Sequence, residues 1–283
     1  MSNGQSIHPK PDSNLSQVKN IVVVASGKGG VGKSTTAVNL ALALAKQGLA
    51  VGLFDADIYG PSQPMMLGIS PGTRPEIVDG KFMQPVDAHG IKANSVGLLV
   101  DENQAMVWRG PMVVGAFSQI LNDTLWGDLD FLIVDMPPGT GDIQLSLAQS
   151  VPVTGAVIVT TPQDVALLDA KRGIEMFRKV EVPILGIVEN MSIHVCSECG
   201  HSEHIFGDGG ASRIADNYDV PLLGELPLDR DIRQQCDEGV PAVASDPASK
   251  VSEIYLQIAT RMAQQLGNTA ATKSVPNISI SDD

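Results

Sequence analysis

The sequence predicts an α/β fold in which a mostly parallel β-sheet carries helices on both of its faces. Short apolar, β-branched runs alternate with segments of helical spacing along most of the chain, which is typical of βαβ units. Aromatic residues make up only 4% of a chain that is 43% hydrophobic, so aliphatic side chains must fill the interior. A glycine-rich turn joins the first predicted strand to the first predicted helix.

The predicted strands and helices follow one another without a gap that would indicate a second domain. The first strand, 21–25, leads through the glycine-rich turn to a helix over 34–47, which stops at Gly48. The remaining predicted strands are 50–54, 131–134, 156–161 and 184–188. The remaining predicted helices are 113–121, 143–149, 164–180, 230–238 and 246–266.

Three segments depart from this alternation. Residues 72–100 predict a small β-hairpin inserted in the sheet domain, with strands at 81–86 and 91–96. Residues 1–19 and residues 268–283 are polar, contain proline, and predict a flexible N-terminal arm and a flexible C-terminal tail. The chain between them, 20–267, is expected to form one domain.

Composition and charge exclude several classes of function. The formal net charge of −13 disfavours a protein that coats nucleic acid, because an acidic surface repels the phosphate backbone. No apolar run is long enough to cross a membrane, and nothing resembles a signal or transit peptide. The three cysteines are too few for a disulfide scaffold. We therefore expect a cytoplasmic protein that has neither nucleic acid nor a membrane as its partner.

The strongest motif is the glycine-rich turn, residues 26–35, which has the pattern of a phosphate-binding P-loop. Its glycines let backbone N–H groups turn towards phosphate oxygens, and the helix that follows points its positive end at the anion. Lys33 would reach the β- and γ-phosphates, and the Ser34 hydroxyl would ligate Mg²⁺. The residues predicted to bind ATP here are Gly27, Lys28, Gly29, Gly30, Val31, Gly32, Lys33, Ser34 and Thr35.

Lys28 distinguishes this loop from a standard P-loop, which needs only the later lysine, Lys33. A loop with both lysines resembles that of the deviant Walker A ATPases, a class that includes MinD, ParA, the nitrogenase iron protein and the Mrp-type carriers. In that class the matching lysine reaches across a dimer to the nucleotide of the partner. The resemblance therefore implies a homodimer that encloses ATP, with Lys28 and Lys33 as catalytic residues.

Carboxylates follow two predicted strands at the edge of the sheet where α/β folds bind ligands. Asp135 follows strand 131–134 in a Walker B pattern and would hold a water ligand of Mg²⁺. By resemblance to the deviant Walker A class, Asp57 orients the attacking water, and Asp55 supports Mg²⁺ or the first switch. Each can instead be a turn or helix-cap residue. The glycines of residues 136–142 predict a switch loop.

Asn190 follows the strand predicted at 184–188. By the same resemblance it contacts the adenine base of the nucleotide, although asparagine at a strand end is also a common turn former.

Cys196 and Cys199, which we call the cysteine pair, are separated by two residues in a polar loop. Two such thiolates can bind one metal centre from one side, and Gly200 favours a tight knuckle around them. A 4Fe–4S cluster takes four thiolates, so a second copy of the chain would have to supply the other two. The dimer implied by Lys28 meets this need, and the two clues together favour an iron–sulfur cluster.

Other chemistry at the cysteine pair stays open. His201 and His204 could complete a zinc site within one chain or across a dimer, although their spacing is tighter than in a zinc finger. A redox dithiol is a weaker alternative, because the pair is not at the helix start of the first βαβ unit. Cys236 lies in a predicted polar helix and is interpreted as a structural thiol.

Four motifs together resemble the Mrp-type iron–sulfur carriers, also called ApbC-like, over about residues 19–266. They are the P-loop, residues 55–62, residues 137–142, and Asn190-Met191-Ser192 followed by the cysteine pair. The resemblance implies a homodimeric ATPase that binds a bridging 4Fe–4S cluster, hydrolyses ATP slowly, and has a cluster scaffold and apo iron–sulfur proteins as partners. Many members carry an N-terminal α/β domain or an N-terminal cysteine cluster, and residues 1–19 match neither.

Two other functions compete with the carrier. A positioning ATPase of the MinD/ParA kind would need a basic amphipathic C-terminal helix or a basic face, whereas residues 251–266 contain Arg261 as their only cation. An ATP-dependent chaperone for zinc or another metal would use the same cysteine pair.

Overall fold

The computed structural model describes residues 14–99 and 110–272, with side chains through Gly267. The strands are β1 (Val18–Ala25), β2 (Val51–Asp55), β3 (Ile77–Val78), β4 (Phe82–Met83), β5 (Val86–Ala88), β6 (Ile91–Ser95), β7 (Leu129–Asp135), β8 (Gly155–Thr160), β9 (Ile184–Glu189), β10 (His194–Val195), β11 (Ser202–Glu203) and β12 (Leu222–Glu225). The helices are α1 (Lys33–Lys46), α2 (Gln63–Met66), α3 (Gly110–Asp123), α4 (Asp142–Ser150), α5 (Asp164–Lys179), α6 (Gly210–Tyr218), α7 (Arg230–Asp237), α8 (Ala242–Ser245) and α9 (Lys250–Thr272).

In the described part of the chain, eight strands form one sheet in the order β12-β9-β8-β1-β7-β2-β6-β5. Every neighbouring pair in this sheet is parallel except β5 and β6. The prediction of a mostly parallel sheet is therefore confirmed. Because β1, β2 and β7 are neighbours, the residues that follow Ala25, Asp55 and Asp135 meet at one edge of the sheet.

Side chains from the central strands alternate between two apolar layers, one on each face of the sheet. In β1, Val22 and Val24 pack towards α1 and α9, whereas Ile21 and Val23 pack towards the layer that contains α3, α4, α5 and α6. Both layers are built almost entirely from aliphatic side chains, as the composition predicts. None of the helices described here is both long and apolar enough to cross a membrane.

The described part of the segment 72–100, residues 72–99, contains two hairpins instead of the single one predicted. β3 and β4 are joined by Asp79-Gly80-Lys81, and β5 and β6 by His89-Gly90. Asp79, Gly80, His89 and Gly90 have positive φ, as in tight hairpin turns. The strand predicted at 81–86 is wrong, because Pro85 separates β4 from β5 and has no N–H for a strand ladder. The strand predicted at 91–96 is confirmed as β6, which forms a hairpin with β5 and also joins the main sheet beside β2.

The flexible segments predicted at the two ends of the chain, 1–19 and 268–283, both include residues that the structure places in regular or buried positions. Leu15 is buried, Val18 N donates to Leu15 O, and β1 begins at Val18, so the flexible arm is wrong for residues 14–19. At the other end α9 continues through residues 268–272, because adding residues to an existing helix is easy once it is nucleated. Residues 1–13 and 273–283, also predicted to be flexible, lie outside the described residues.

Candidate nucleotide site and metal centre

The P-loop connects the end of β1 to the start of α1. Gly30 and Gly32 have φ angles of 81° and 84°, in the left-handed region that glycine enters without strain. Ser26 stabilises the start of the loop, since its hydroxyl donates a hydrogen bond to the Lys28 carbonyl at 2.8 Å. Its own carbonyl accepts from Gly139 N at 2.9 Å, so the P-loop is bonded directly to the predicted switch loop.

Lys33, Ser34 and Asp135, which the sequence predicts to share one site, are brought together by the fold. The Nζ of Lys33 lies 2.5 Å from Oδ1 of Asp135 and 3.1 Å from Oγ of Ser34. Lys33 and Asp135 are both buried. A cation, a hydroxyl and a carboxylate therefore meet where the P-loop helix begins, an arrangement suited to phosphate and Mg²⁺.

Gln63, the first residue of α2, belongs to the same cluster and was missed by the sequence analysis. Its Nε2 donates to Asp135 Oδ2 at 2.8 Å and to the Ser34 carbonyl at 3.0 Å. Its Oε1 is buried and has no hydrogen-bond partner among the described residues. Nothing in a single sequence separates this glutamine from a surface residue, because its position depends on how the loop after Asp55 folds.

Asp55 organises that loop. Its Oδ2 accepts hydrogen bonds from Ser62 N, Gln63 N and Ser95 Oγ at 3.0–3.1 Å, and its Oδ1 accepts one from Asp57 N at 3.1 Å. Burial, together with the nearby charge of Asp135, raises the pKa of Asp55 to about 7. Asp55 thus combines a turn-capping role with a place beside the predicted Mg²⁺ ligands.

Asp57 lies at the mouth of this cluster and is only partly buried. Burial raises the pKa of its carboxyl group, and the charge of Lys33 opposes that rise. Its carboxylate also accepts hydrogen bonds from the backbone N–H groups of Gly60 and Tyr59. The two interpretations of Asp57, as a turn residue and as a group facing the nucleotide site, are therefore compatible.

Asn190 lies directly against the P-loop. Its Nδ2 donates to the Val31 carbonyl at 2.9 Å, and its Oδ1 accepts from Met191 N at 3.0 Å. A Cβ at Gly32 would lie 2.0 Å from Asn190 Nδ2, so only glycine fits there. The sequence signal at the end of β9 therefore marks a residue that contacts the predicted nucleotide loop.

Lys28 is half-buried and takes no part in the hydrogen bonds that join Lys33, Ser34 and Asp135. Its side chain has no hydrogen-bond or ion-pair partner within residues 14–99 and 110–272. The preceding Gly27 approaches α5 so closely that a Cβ there would lie 2.4 Å from backbone atoms of Asp169. Val165 and Leu168, in the first turns of the same helix, are 64% and 56% exposed. The residue before Lys28 thus lies against α5, whose first turns expose apolar surface.

The cysteine pair lies in the turn of the β10–β11 hairpin. Cys196 N donates to the His201 carbonyl at 2.9 Å, and Gly200 N, in a residue with φ of 72°, donates to the Cys196 carbonyl at 2.8 Å. Backbone N–H groups of Cys199 and Glu198 point at the Cys196 sulfur and lower the pKa of that thiol. The knuckle expected from the spacing is therefore formed, and it favours a thiolate.

Within the described residues, no group of three or more His, Cys, Asp or Glu side chains is placed to hold a metal ion. His204 Nδ1 lies 2.8 Å from the Ser192 carbonyl, and His194 Nδ1 lies 3.1 Å from the Leu228 carbonyl. His201 and His204 therefore do not form a zinc site with the cysteine pair within the described residues of one chain. One described chain offers two thiols on an exposed turn.

Cys236 is separate from this centre. It is 2% exposed, packs in the apolar layer that contains α1 and α9, and burial raises the pKa of its thiol to about 11. This placement agrees with its interpretation as a structural thiol.

Comparison with known proteins identifies the family to which this sequence is similar. The sequence model of a family described as NUBPL iron-transfer P-loop NTPase matches residues 17–263. An iron-sulfur cluster carrier protein from Pseudomonas fragi is 60% identical over 252 residues, which cover 89% of this chain and 88% of that protein. The mouse iron-sulfur cluster transfer protein NUBPL is 52% identical over 251 residues, covering 88% of this chain and 78% of that protein.

Solved structures support the same fold. A nucleotide-binding protein from Archaeoglobus fulgidus, in complex with ADP, superposes with a TM-score of 0.73 at 36% identity, over 86% of this chain and 94% of that one. The cell division ATPase MinD from Pyrococcus furiosus superposes with a TM-score of 0.66 at 25% identity, over 87% of this chain and 99% of that one. The predicted P-loop NTPase fold is confirmed, and the chain belongs to the family of NUBPL-type iron-transfer P-loop NTPases.

Proposed function

We propose that this protein is an ATP-dependent carrier of iron–sulfur clusters that works as a homodimer. Two copies would hold one 4Fe–4S cluster on their four paired cysteines and deliver it to apo-proteins. The observation that carries the proposal is the exposed two-thiol knuckle, which has no third ligand among the described residues, on a chain that also has a complete P-loop. The names of the similar carrier and transfer proteins support the same function.

The nucleotide would bind at the start of α1. Backbone N–H groups of residues 27–35 and the positive end of α1 would surround the phosphates, while Lys33, which now pairs with Asp135, would contribute its charge. Bound Mg²⁺ would neutralise charge that develops on the phosphates. Ser34 and Asp135 would supply oxygen ligands for it or its waters, and Oε1 of Gln63, which has no hydrogen-bond partner among the described residues, would add an acceptor beside them.

Hydrolysis would depend on groups around that ion. Asp57, which is partly exposed at the mouth of the cluster, would orient a water molecule towards the γ-phosphate. Asp55 would hold the loop 56–62 in the conformation that the nucleotide requires, through its four hydrogen bonds. Asn190, bonded to Val31, lies beside the P-loop where it could also contact the adenine base.

Two features support the dimer. Lys28 carries a charge with no partner in the described part of its own chain, so the triphosphate of a second copy can use it. Val165 and Leu168 expose apolar surface beside the same P-loop, and a second copy would cover it. A lysine from each copy would also offset the repulsion between two chains that each carry a formal charge of −13.

The structure supports the competing positioning ATPase less well. An amphipathic helix that binds a membrane must leave its apolar face free. The apolar side chains of α9, among them Tyr255, Ile258 and Met262, are instead buried against α1 and the sheet. An ATP-dependent chaperone for zinc would use the same cysteine pair and differs from the proposed carrier only in its cargo.

A transfer assay tests the proposed function. The protein is loaded anaerobically with iron and sulfide, separated from free ions, and mixed with an apo-protein that needs a 4Fe–4S cluster for its activity. We expect the wild type and Cys236→Ala to activate the apo-protein, and Cys199→Ala to bind and deliver nothing. Equal delivery by Cys199→Ala would contradict the carrier function. Zinc bound in place of iron by the protein as isolated would favour the metal chaperone instead.

A further inference from the structure

We propose that Gln63 is a positioning residue for Mg²⁺ in the nucleotide site, and that its Oε1 accepts a hydrogen bond from a water molecule of the hydrated ion. The inference rests on the proposed binding of ATP with Mg²⁺ and is independent of any cluster on the cysteine pair. It assigns a role to a buried polar atom that the fold leaves without a partner in the described chain.

The orientation of the Gln63 amide is fixed by its neighbours. Nε2 donates to two groups that can only accept, the Ser34 carbonyl and the Asp135 carboxylate, so exchanging the oxygen and nitrogen would break both bonds. Oε1 must therefore be the atom that lacks a partner. Gln63 is 1% exposed, and leaving an acceptor buried and unpaired is unfavourable, which indicates a further polar group at this position.

The groups that fix Gln63 are those proposed to hold the metal. Nε2 bonds to the backbone of Ser34, whose hydroxyl is the expected Mg²⁺ ligand, and to Asp135, the Walker B carboxylate. Mg²⁺ dehydrates reluctantly and usually keeps several waters, each with protons to donate. A buried acceptor beside both metal-binding groups is placed to receive one of these protons, and no competing donor within the described residues reaches Oε1.

Gln63 also connects the metal to the loop that follows β2. Its backbone N–H donates to Asp55 Oδ2 at 3.0 Å, and its side chain donates to Asp135 Oδ2 at 2.8 Å. The residue therefore spans the two buried carboxylates of the site. A hydrogen bond from a Mg²⁺-bound water to Oε1 would make the position of α2 sensitive to whether the ion is present.

Two substitutions separate the oxygen from the nitrogen. Gln63→Met keeps the length and approximate volume of the side chain but removes both polar atoms, whereas Gln63→Glu keeps an acceptor oxygen and removes the N–H donor. For each full-length variant, the dissociation constant of a fluorescent ADP analogue is measured with EDTA and with saturating Mg²⁺. The ratio of the two constants is the Mg²⁺-dependent gain in affinity. Gln257→Met, a change on the exposed side of α9, is the matched control.

We expect Gln63→Met to lower the Mg²⁺-dependent gain by about tenfold, as for the loss of one hydrogen bond to an ionic partner. Gln63→Glu should keep a gain at or above that of the wild type, and Gln257→Met should leave it unchanged. An unchanged gain in Gln63→Met would overturn the inference. An equal loss of the Mg²⁺-dependent gain in both variants would also overturn the inference. The loss of the N–H donor, which both variants share, would then explain the effect without any role for Oε1.

The assay separates this inference from the proposed function. If the wild type fails to bind the ADP analogue, the proposed nucleotide function is wrong, whereas wild-type binding with equal gains in all variants refutes only the role of Gln63. Thermal unfolding without nucleotide shows whether Gln63→Met is folded. If Gln63→Met is unfolded, the Mg²⁺-dependent gain in affinity is compared between Gln63→Glu and the wild type. A smaller gain in Gln63→Glu than in the wild type then overturns the inference.

Discussion

The Nζ of Lys33 lies 2.5 Å from Oδ1 of Asp135, and both side chains are buried although 102 residues separate them in the sequence. The ion pair ties the first turn of α1 to the end of β7. Asp135 and a bound phosphate would also compete for Lys33, because each is an anion that can pair with its ammonium group. The same pair can therefore stabilise the fold and take part in nucleotide binding.

Removing one member of this pair should destabilise the protein even without nucleotide. Lys33→Met leaves Asp135 buried beside Asp55 without its cation, which typically costs roughly 3–5 kcal/mol. Urea unfolding of the nucleotide-free protein measures the change. The double variant Lys33→Met/Asp135→Asn should lose less than the sum of the two single variants, because it leaves no unpaired charge. Additive losses would show that the two groups do not interact.

Two glycines of the P-loop should differ sharply in their tolerance of alanine. A Cβ at Gly27 would lie 2.4 Å from backbone atoms of Asp169, whereas a Cβ at Gly29 would have no atom within 4 Å. Gly27→Ala must shift α5 and should lower the unfolding free energy by roughly 1–3 kcal/mol. Gly29→Ala, the matched control, should change it by less than about 0.5 kcal/mol. Thermal unfolding without nucleotide distinguishes them, and equal effects would mean that the loop does not approach α5.

The cysteines should react with an alkylating agent in two classes. Cys196 and Cys199 lie on an exposed turn, and the pKa of Cys196 is lowered by the N–H groups that face its sulfur. Cys236 is buried, with a pKa raised to about 11, so only on the order of 0.1% of it is thiolate at pH 8. Peptide mass spectrometry after brief iodoacetamide treatment of metal-free protein should find Cys236 unmodified. Its modification at the rate of Cys196 would refute this placement.

Glu189 should make stability depend on pH. It ends β9, it accepts a hydrogen bond from Ala211 N at the start of α6, and burial raises its pKa above the ordinary value of 4.5. The folded protein therefore holds this proton to a higher pH than the unfolded chain, and stability is lost as pH rises through the raised pKa. Glu189→Gln keeps an acceptor and cannot ionise.

The melting temperature of Glu189→Gln, relative to the wild type, should consequently be higher at pH 8 than at pH 5. Near pH 4.5 and below, the protonated wild-type side chain and the glutamine are close to equivalent, so the difference should shrink there. Thermal unfolding across this range checks the sign. The same difference at both pH values would show that Glu189 ionises as readily in the folded protein as in the unfolded chain.

Features that depend on neighbours in sequence were predictable. The P-loop, the strand that precedes it and the carboxylates that end β2 and β7 are local patterns, and the order of parallel strands brings them together. The knuckle at Cys196 is also local, since spacing and Gly200 determine it. Local motifs and the parallel order of the strands are therefore enough to predict these features.

Features that depend on distant partners were not predictable. Gln63 enters the site because Asp55 holds the loop before α2, and nothing in its own sequence neighbourhood indicates a buried partner for it. Leu15 is buried because the turn before β1 folds back on the core, although the residues around it are polar. The pairing of β6 with β2 in the main sheet is likewise a contact between distant segments, which the local hairpin pattern does not indicate.

Native mass spectrometry of protein reconstituted anaerobically with iron and sulfide, compared with Cys199→Ala, tests most directly whether two chains share one cluster. We predict a species of two chains with one 4Fe–4S cluster for the wild type, and cluster-free protein for the variant, because the described part of each chain offers the cluster only the two thiols of its knuckle. A cluster held by a single wild-type chain, or equal iron and sulfide in Cys199→Ala, would contradict it.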